Sequence, residues 1–363
     1  NSGASRSRLS QIDPKVSGDE DITTEETNMS EFSDFVTGPE YGTNRNKPLN
    51  DQIDVLGDVH LGKKFNTNVP IERRGEREAL VWKDFEQSLM ATDKRWHIQV
   101  GDLFDGLIVP NEIVLLAANL YITAAQLNPL TTYVVYAGNH DRSRTEYRKS
   151  SFDVFKGLVA FIPNIHVLMD VTEMGALAFI PWHPFKTAAE LANELHGTYD
   201  VVFGHWDCID FGGDTHNLIP LAELQGKTNL VVTGHEHNAK EFEKDGIRVV
   251  ITGSMQPYSH AEDAEGEFYV TLTPEEYEER SQTEDLSDRN LRFVLKEGEP
   301  MPAVEALSVS CKKVTEEKEE VDINVDFDAF DLPQLLTSSL TEAGVDQTFR
   351  VKVEEKFGEL RAE

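Results

Sequence analysis

At 363 residues the chain can hold one large or two modest domains with a real core, and its 39% hydrophobic content contains no apolar run long enough to span a membrane and no signal peptide. Asp and Glu outnumber Lys and Arg by 65 to 34, a net charge of −31, which argues against a protein that grips a polyanion over its whole surface. Only Cys208 and Cys311 occur, in unrelated contexts, which excludes a disulfide framework and a cysteine metal site and fits a reducing cytoplasm.

Residues 1–52 are poor in apolar residues and rich in Ser, Thr, Gly, Asp and Glu; they read as a disordered tail, and a first residue other than Met suggests processing. The run 53–56 opens the fold as a strand. After His60 comes the strongest basic cluster of the chain, Lys63, Lys64, Arg73, Arg74 and Arg77, placed to contact phosphate. A helix is predicted over 76–90 with Leu80, Phe85 and Leu89 inward, and a strand near 97–100 delivers Asp102 and Asp105. The segment 110–127 starts on Pro110, stops before Pro129 and is apolar nearly all round, which predicts a helix buried on two sides or lining a subunit interface.

A strand over 133–136 follows, then Gly138-Asn-His-Asp141 and the basic residues Arg142, Arg144 and Arg148. Strands are expected at 167–169, 176–180, 201–203, 230–232, 249–251 and 268–272, and a short helix at 187–195. His183, in Pro181-Trp-His-Pro184, lacks a preceding strand and glycine and reads as structural. Beyond 273 the composition shifts to acidic runs at 275–279 and 316–320, with apolar stretches at 291–295 and 306–309, a helix near 332–342 and a strand at 348–353. We read 274–363 as a small α+β domain following a main domain at 53–273.

Five strand ends share one grammar: an apolar run, a glycine, then a residue able to hold a metal. They carry Asp58 and His60, Asp102 and Asp105, Asn139 and His140, His205, and His235 and His237. In open α/β sheets, ligands bind where loops leave the carboxyl ends of neighbouring strands. A glycine there lets backbone come close to an ion. Mixed oxygen and nitrogen donors suit manganese, iron or zinc better than calcium. Asp58, His60, Asp102, Asn139, His205, His235 and His237 are too many for one four-coordinate ion and suit two ions sharing a carboxylate.

These motifs resemble those of the calcineurin-like metallophosphoesterases. Gly57-Asp-Val-His-Leu-Gly62, Gly101-Asp-Leu-Phe-Asp105 and Phe203-Gly-His-Trp206 are similar to the SbcD-type double-strand-break repair nucleases, the last most of all to the bacteriophage branch. The resemblance covers residues 53–272. It implies a four-layer α/β/β/α metallophosphoesterase sandwich with a small α+β capping domain that selects DNA. It further implies two divalent ions, Mn2+ or alternatively Mg2+. Asp58, His60, Asp102 and His237 would hold one ion; Asp102, Asn139, His205 and His235 would hold the other, with Asp102 bridging. His140 would act on the phosphoryl transition state and the leaving oxygen. Asp105, the second catalytic candidate, stands where eukaryotic and archaeal relatives have histidine, as in bacterial and phage members. Lys63, Lys64, Arg73, Arg74, Arg142 and Arg144 are candidate DNA contacts. The implied partners are DNA, an SbcC-type coiled-coil ABC ATPase and a second copy of the chain, in a bacterial or phage-infected cytoplasm.

The function expected from this reading is a DNA exonuclease and endonuclease. A phosphatase or cyclic-nucleotide phosphodiesterase on the same core is the alternative. A binding scaffold that has lost its chemistry is disfavoured because all seven ligand positions are filled.

Overall fold

Residues 43–145, 148–208, 216–314, 340, 350–353 and 356 are described by the computed structural model. Contacts divide the chain into two units, Asn1–Phe293 with Pro302–Cys311, and Val294–Met301 with Lys312–Glu363. The first sheet contains β1 (Lys47–Asn50), β2 (Ile53–Leu56), β3 (Trp96–Gln99), β4 (Thr132–Tyr136) and β5 (Ile165–Leu168), in that spatial order. Its strands are parallel except β1. The second contains β6 (Thr172–Met174), β7 (Leu177–Ile180), β8 (Val201–His205), β9 (Leu230–Gly234), β10 (Lys240–Lys244) and β11 (Ile247–Ile251), ordered β10-β11-β9-β8-β7-β6. A third sheet runs β12 (Tyr269–Leu272), β13 (Asn290–Lys296), β14 (Ser308–Val314).

The period-2 alternation of strands sorts residues between layers. Ile53, Val55, Ile98, Val100, Val134 and Tyr136 meet Leu177, Phe179, Val201, Phe203 and Val232 in one core between the first two sheets. Leu56, Tyr133 and Val135 face the other way, into a core shared with helices α1 (Glu76–Met90), α2 (Asn111–Leu127) and α3 (Ser151–Val159). The outer face of the second sheet is covered by α4 (Ala188–Ala192) and α5 (Leu221–Leu224). The result is the expected α/β/β/α layering.

On α1 the buried residues are Arg77, Val81, Asp84, Phe85, Ser88 and Leu89, a clean i, i+4, i+7 stripe. Phe85 and Leu89 point inward as predicted, but Val81, not Leu80, completes the apolar set. Arg77 is a second correction. It is buried, lies 4.0 Å from the Phe268 ring centroid and hydrogen-bonds Gln256 and the Pro257 carbonyl. It therefore does not belong to an exposed basic loop. Gln256 also donates to Asp84 (2.6 Å), which accepts from Arg45 as well. This buried network ties α1 to the loop after β11. Helix α2 is buried on two sides, between α1 and α3.

Several elements carry weak signals. Lys47–Asn50, read as tail, pairs with β2. β10 (Lys-Glu-Phe-Glu-Lys) has one half-buried residue and is held by its partner β11. Helix α3 starts at a reciprocal capping box of Ser150 and Asp153. Thr273 and Glu276 make another for α6 (Pro274–Arg280), inside a run read as acidic surface. The α4 helix is shorter than predicted, starting after the Thr187–Glu190 box and ending at Ala192. Residues 350–353 are helical where a strand was expected; the Val-Lys-Val alternation imitates a strand period. The residues 1–42, the acidic run 316–320 and all of the predicted 332–342 helix but residue 340 lie outside the described residues. No described helix is long and apolar enough to cross a membrane.

His97 on β3 is fully buried on the helix side of the sheet. Its Nε2 donates to Asn46 (3.0 Å), and its ring lies 5.3 Å from Tyr133. Burial pushes it down to about 4. Between pH 4 and 6.5 the unfolded chain thus binds a proton that the folded chain refuses, so stability rises with pH across that window. His97→Phe removes that titration. The wild type should lose ~3 kcal/mol more than the variant between pH 7 and pH 4. Denaturant midpoints measured for both proteins across this range check it; parallel profiles refute it.

Candidate metal centre

The first sheet's parallel register places Leu56, Gln99 and Val135 at one level, so the three segments that follow them emerge side by side. His205 is paired with Gly234 in the second sheet, which brings the loops after β8 and β9 to the same edge. Asp58, His60, Asp102, Asn139, His205, His235 and His237 are gathered there. Ligand atoms of six of them, joined by His140, fall into overlapping groups: Asp58, His60 and His237; His60, Asp102 and His140; Asp102, His205 and His235.

Two glycines show how close the packing is. A Cβ on Gly138 would collide with the carboxylate of Asp102. Gly101 has φ +97° and faces the His205 imidazole, so any side chain there would be both strained and obstructed. Three of the five described non-glycine residues with positive φ are His60 (51°), Asp102 (50°) and His235 (81°). Such strain of about 1–3 kcal/mol per residue gathers where a site demands an exact side-chain position.

His140, His205 and His235 each have one nitrogen hydrogen-bonded outward and the other turned inward. His205 Nδ1 donates to the Val100 carbonyl (2.9 Å), leaving Nε2 2.9 Å from Asn139 Oδ1 and 3.4 Å from Asp102. His235 Nε2 meets Asp207 (2.8 Å), leaving Nδ1 3.0 Å from the same Asn139 oxygen. His237 Nδ1 lies 3.3 Å from Glu262, and its Nε2 is 3.0 Å from His60 Nε2. His60 Nδ1 lies 3.4 Å from Asp105. An acceptor nitrogen cannot rest against another acceptor without a cation or a proton between them. Asp58 Oδ1, fully buried, has no hydrogen-bond partner among the described residues, while Oδ2 accepts from the His235 amide (2.9 Å). These residues fit divalent cations.

The electrostatics agree. Burial raises Asp58 above the usual carboxylate range against the pull of His205. Burial also works on Asp102, but His205, His60 and His140 outweigh it and hold Asp102 well below that range. Burial opposes charge on His205, yet Asp102 and Asp58 push it up to about 10.

Asp141 anchors the loop. Its buried carboxylate accepts from the amides of Leu103 (3.2 Å), Phe104 (3.1 Å) and Gly138 (3.0 Å), while burial and then Asp102 raise it to about 7. The His140 amide donates to Asp102 (2.9 Å), and His140 Nδ1 donates to the Asp105 carbonyl (2.7 Å). His140 Nε2 therefore points at the centre, 4.0 Å from Asp102, on a side chain 40% exposed. Asp105 itself bonds Lys63 (3.2 Å) and faces His60, so it sits behind the donors and orients them.

The basic candidates divide. Lys64, Arg74 and Arg144 are exposed and Lys63 half-buried. Arg73 is engaged by Glu76, Asp288 and the Ser287 carbonyl, and Arg142 donates to the carbonyls of Met169 and Trp182. His183 lies outside the centre, its Nδ1 accepting from the amides of Phe185 and Lys186. Three participants escaped sequence reasoning. Asp207 carried a signal, two residues beyond His205. Glu262 and Tyr258 had none, since they lie in a loop after β11 with no strand-glycine pattern. Glu262 is held down at about 2, as His237, the Tyr258 amide and Ser259 overcome its burial. The Tyr258 ring stands 5.7 Å from His60 and 6.1 Å from His237.

The model of the calcineurin-like phosphoesterase family matches residues 52–239. Among solved structures, the chain is similar to the phosphopantetheinyl hydrolase of Mycobacterium tuberculosis, with 12% identity and a TM-score of 0.34 over 57% of this chain and 93% of that one. It is also similar to GAP50, the anchor in the inner membrane complex of Plasmodium (15%, TM-score 0.33, 56% and 71%). A third is a putative 5′-nucleotidase from Staphylococcus aureus (13%, TM-score 0.31, 56% and 48%). No curated protein matches the sequence.

The outward partners should matter to metal affinity. Asp207→Asn and Glu262→Gln should each weaken binding of Mn2+ by about 10–100-fold while the fold holds. Asp102→Asn should reduce occupancy of both ions. Calorimetric titration with Mn2+ and metal counts on the same preparations test this. Wild-type affinity in the first two variants, or two full ions in Asp102→Asn, would refute the arrangement.

Proposed function

The chain belongs to the calcineurin-like phosphoesterase family, and we propose that it hydrolyses the phosphodiester backbone of DNA as a two-metal exonuclease and endonuclease. A metal-dependent phosphoester hydrolase is what the family and the cluster of donors support directly. The step to DNA rests on one observation. On a chain of net charge −31, the segment leaving His60 sets Lys63 and Lys64 beside the centre, with Lys63 on Asp105.

Asp58, His60, Asp102 and His237 would hold one ion, and Asp102, Asn139, His205 and His235 the other. Bound Mn2+ or Mg2+ supplies an acidified water and neutralises phosphate oxygens. The chain's own groups do the rest. Asp141 fixes the Asn139–His140 loop through three amides. The Asp105 carbonyl sets the His140 tautomer, so Nε2 is the nitrogen that can carry a proton to the leaving 3′ or 5′ oxygen. An alkoxide leaving group needs such a donor; an activated aryl ester needs it less. Exposed Lys64, Arg74 and Arg144 would position the DNA backbone.

The proposal extends to partners. An SbcC-type ATPase and a second copy of this chain would work with it, in a bacterial or phage-infected cytoplasm. Exposed Leu115 and Leu127 on α2, with Val154 and Leu158 on α3, support the self-contact. Sedimentation at tens of micromolar, an order-of-magnitude threshold for a specific contact, should show a dimer; a monomer refutes that part.

His140→Ala should keep both ions and DNA affinity while turnover of DNA falls by about a hundredfold or more. The ratio of DNA turnover to hydrolysis of an aryl phosphate diester should fall too. Metal stoichiometry and both rates are measured on one preparation with Mn2+. Metal loss that tracks the lost activity would make His140 a ligand instead, which its place in the His60–Asp102 group makes a real contest. Wild-type protein that hydrolyses only aryl phosphates would refute the DNA reading.

A further inference from the structure

Positive charge also collects in a cavity of about 290 Å3, walled by Lys63, Lys64, Phe65, Tyr258, His260 and Arg292 among others, with no carboxylate in its lining. That is notable on a chain with nearly twice as many acidic as basic residues. Lys64 and Arg292 form no ion pair among the described residues, whereas Lys63 is shared with Asp105.

Tyr258 is the partition between the cavity and the metal centre. It packs edge-on against His60 and His237, and its hydroxyl donates to the Val59 carbonyl (2.5 Å). The cavity therefore begins one aromatic ring away from the candidate ligands. Phe65 lies beside Tyr258 at 6.0 Å with the buried Arg77 guanidinium 5.0 Å away, so its position is fixed. His260 is braced by the Thr271 hydroxyl (3.2 Å) and by the Tyr269 ring (5.2 Å). Burial and then Arg292 push His260 down to about 4, so it faces the cavity as a neutral ring at pH 7. Asn290 is locked by Ser308 (2.7 Å) and the Phe268 carbonyl (3.1 Å). Such a wall is rigid before any ligand arrives, which lowers the cost of binding one.

We infer that this cavity is a subsite for the nucleotide next to the scissile phosphate, with Lys64 and Arg292 on its phosphate and Phe65 and His260 against its sugar and base. The inference rests on the polynucleotide reading above and adds Arg292 and His260 to it. A phosphodiester bond by itself does not distinguish a nucleic acid from any other diester. The neighbouring phosphate and base do, and cations interleaved with aromatic rings are how single strands are held. The placement one ring from the centre suits the adjacent residue of the same strand.

The test compares wild type, Arg292→Ala, Lys64→Ala and the double variant on a short deoxyoligonucleotide and on bis(4-nitrophenyl) phosphate, which has no neighbouring nucleotide. The ratio of the two kcat/KM values should fall about tenfold or more in the double variant. In EDTA, which arrests turnover, fluorescence anisotropy should show weaker oligonucleotide binding and a salt slope shallower by about one per lost contact. Arg292→Lys should recover part of both effects, and it serves as the readout if an alanine variant misfolds. An unchanged ratio with unchanged affinity overturns the subsite. So does a deoxymononucleotide that competes as well as the oligonucleotide, since the cavity would then be a mononucleotide site. If wild type hydrolyses bis(4-nitrophenyl) phosphate but neither binds nor cleaves the oligonucleotide, the DNA reading itself fails; if wild type cleaves it and the variants do so equally, only the subsite fails.

Discussion

The centre depends on a single constraint: its histidines are backed from outside, His140, His205 and His235 by hydrogen bonds at the outer nitrogen. Val100, Asp207, Glu262 and Asp105 stand behind His205, His235, His237 and His60, and the Asp105 carbonyl stands behind His140. Where the outer nitrogen is committed as donor, the inner one is a lone pair, and those of His205 and His235 are aimed at the Asn139 oxygen at 2.9–3.0 Å. Acceptors at that range repel unless something positive lies among them. The same constraint makes ring orientation independent of the ligand, so the site is formed before an ion enters it. It also explains why His205 is driven upward as a base while its neighbour Asp102 is driven downward as an acid. A cation arriving there displaces a proton, which links affinity to pH in the direction expected of any imidazole ligand.

Holding five imidazoles and two carboxylates at the edge of two sheets is costly, and the rest of the fold absorbs that cost. His60, Asp102 and His235 occupy left-handed backbone conformations. What stabilises them lies underneath: two facing sheets, joined where Tyr136 of the first donates its hydroxyl to the Gly204 carbonyl of the second at 2.8 Å, with Phe179 stacked on its neighbour Phe203 within the second at 5.2 Å. The buried Asp84–Gln256–Arg77 network then fixes the loop that presents Tyr258 and Glu262. A distant helix thereby sets the orientation of His237 through two intermediates.

This architecture was legible in the sequence to the degree that its signals are local. A strand, a glycine and a donor are contiguous, so all seven proposed ligands and His140 could be named from the chain alone, and they lie together, Asn139 through its contacts with His205 and His235. The helix α2 was legible because its apolar residues run all round, and α1 because its stripe has period 3.6, though Leu80 and Val81 differ too little to choose between. What failed is non-local. Glu262 matters only because a loop from β11 folds back onto His237. Arg77 looks like surface charge until Phe268, nearly two hundred residues later, covers it. The strand β10 is polar because its exposed face faces solvent, and only pairing with β11 makes it a strand. Capping boxes at Ser150 and Thr273 were readable signals, outweighed by the charge of the residues around them.

The acidity of the chain looks opposed to an anionic substrate only when charge is averaged over the molecule. Fields that steer a ligand are set within about a Debye length, ~8 Å at physiological salt. Inside that radius the centre holds cations when loaded, and the neighbouring cavity presents Lys63, Lys64 and Arg292 without a carboxylate. Averaged over the whole chain, by contrast, the net charge of −31 disfavours contact with a polyanion. A uniformly basic surface would bind DNA along its length and leave the centre to be found by search. A chain that is acidic on average, with positive charge beside its centre, does the opposite: it weakens contact elsewhere and favours docking of an anionic substrate there. Under the DNA reading proposed above, that distribution would contribute to selectivity for the place of cleavage, and its cost would be a weaker overall grip that the proposed partner would offset.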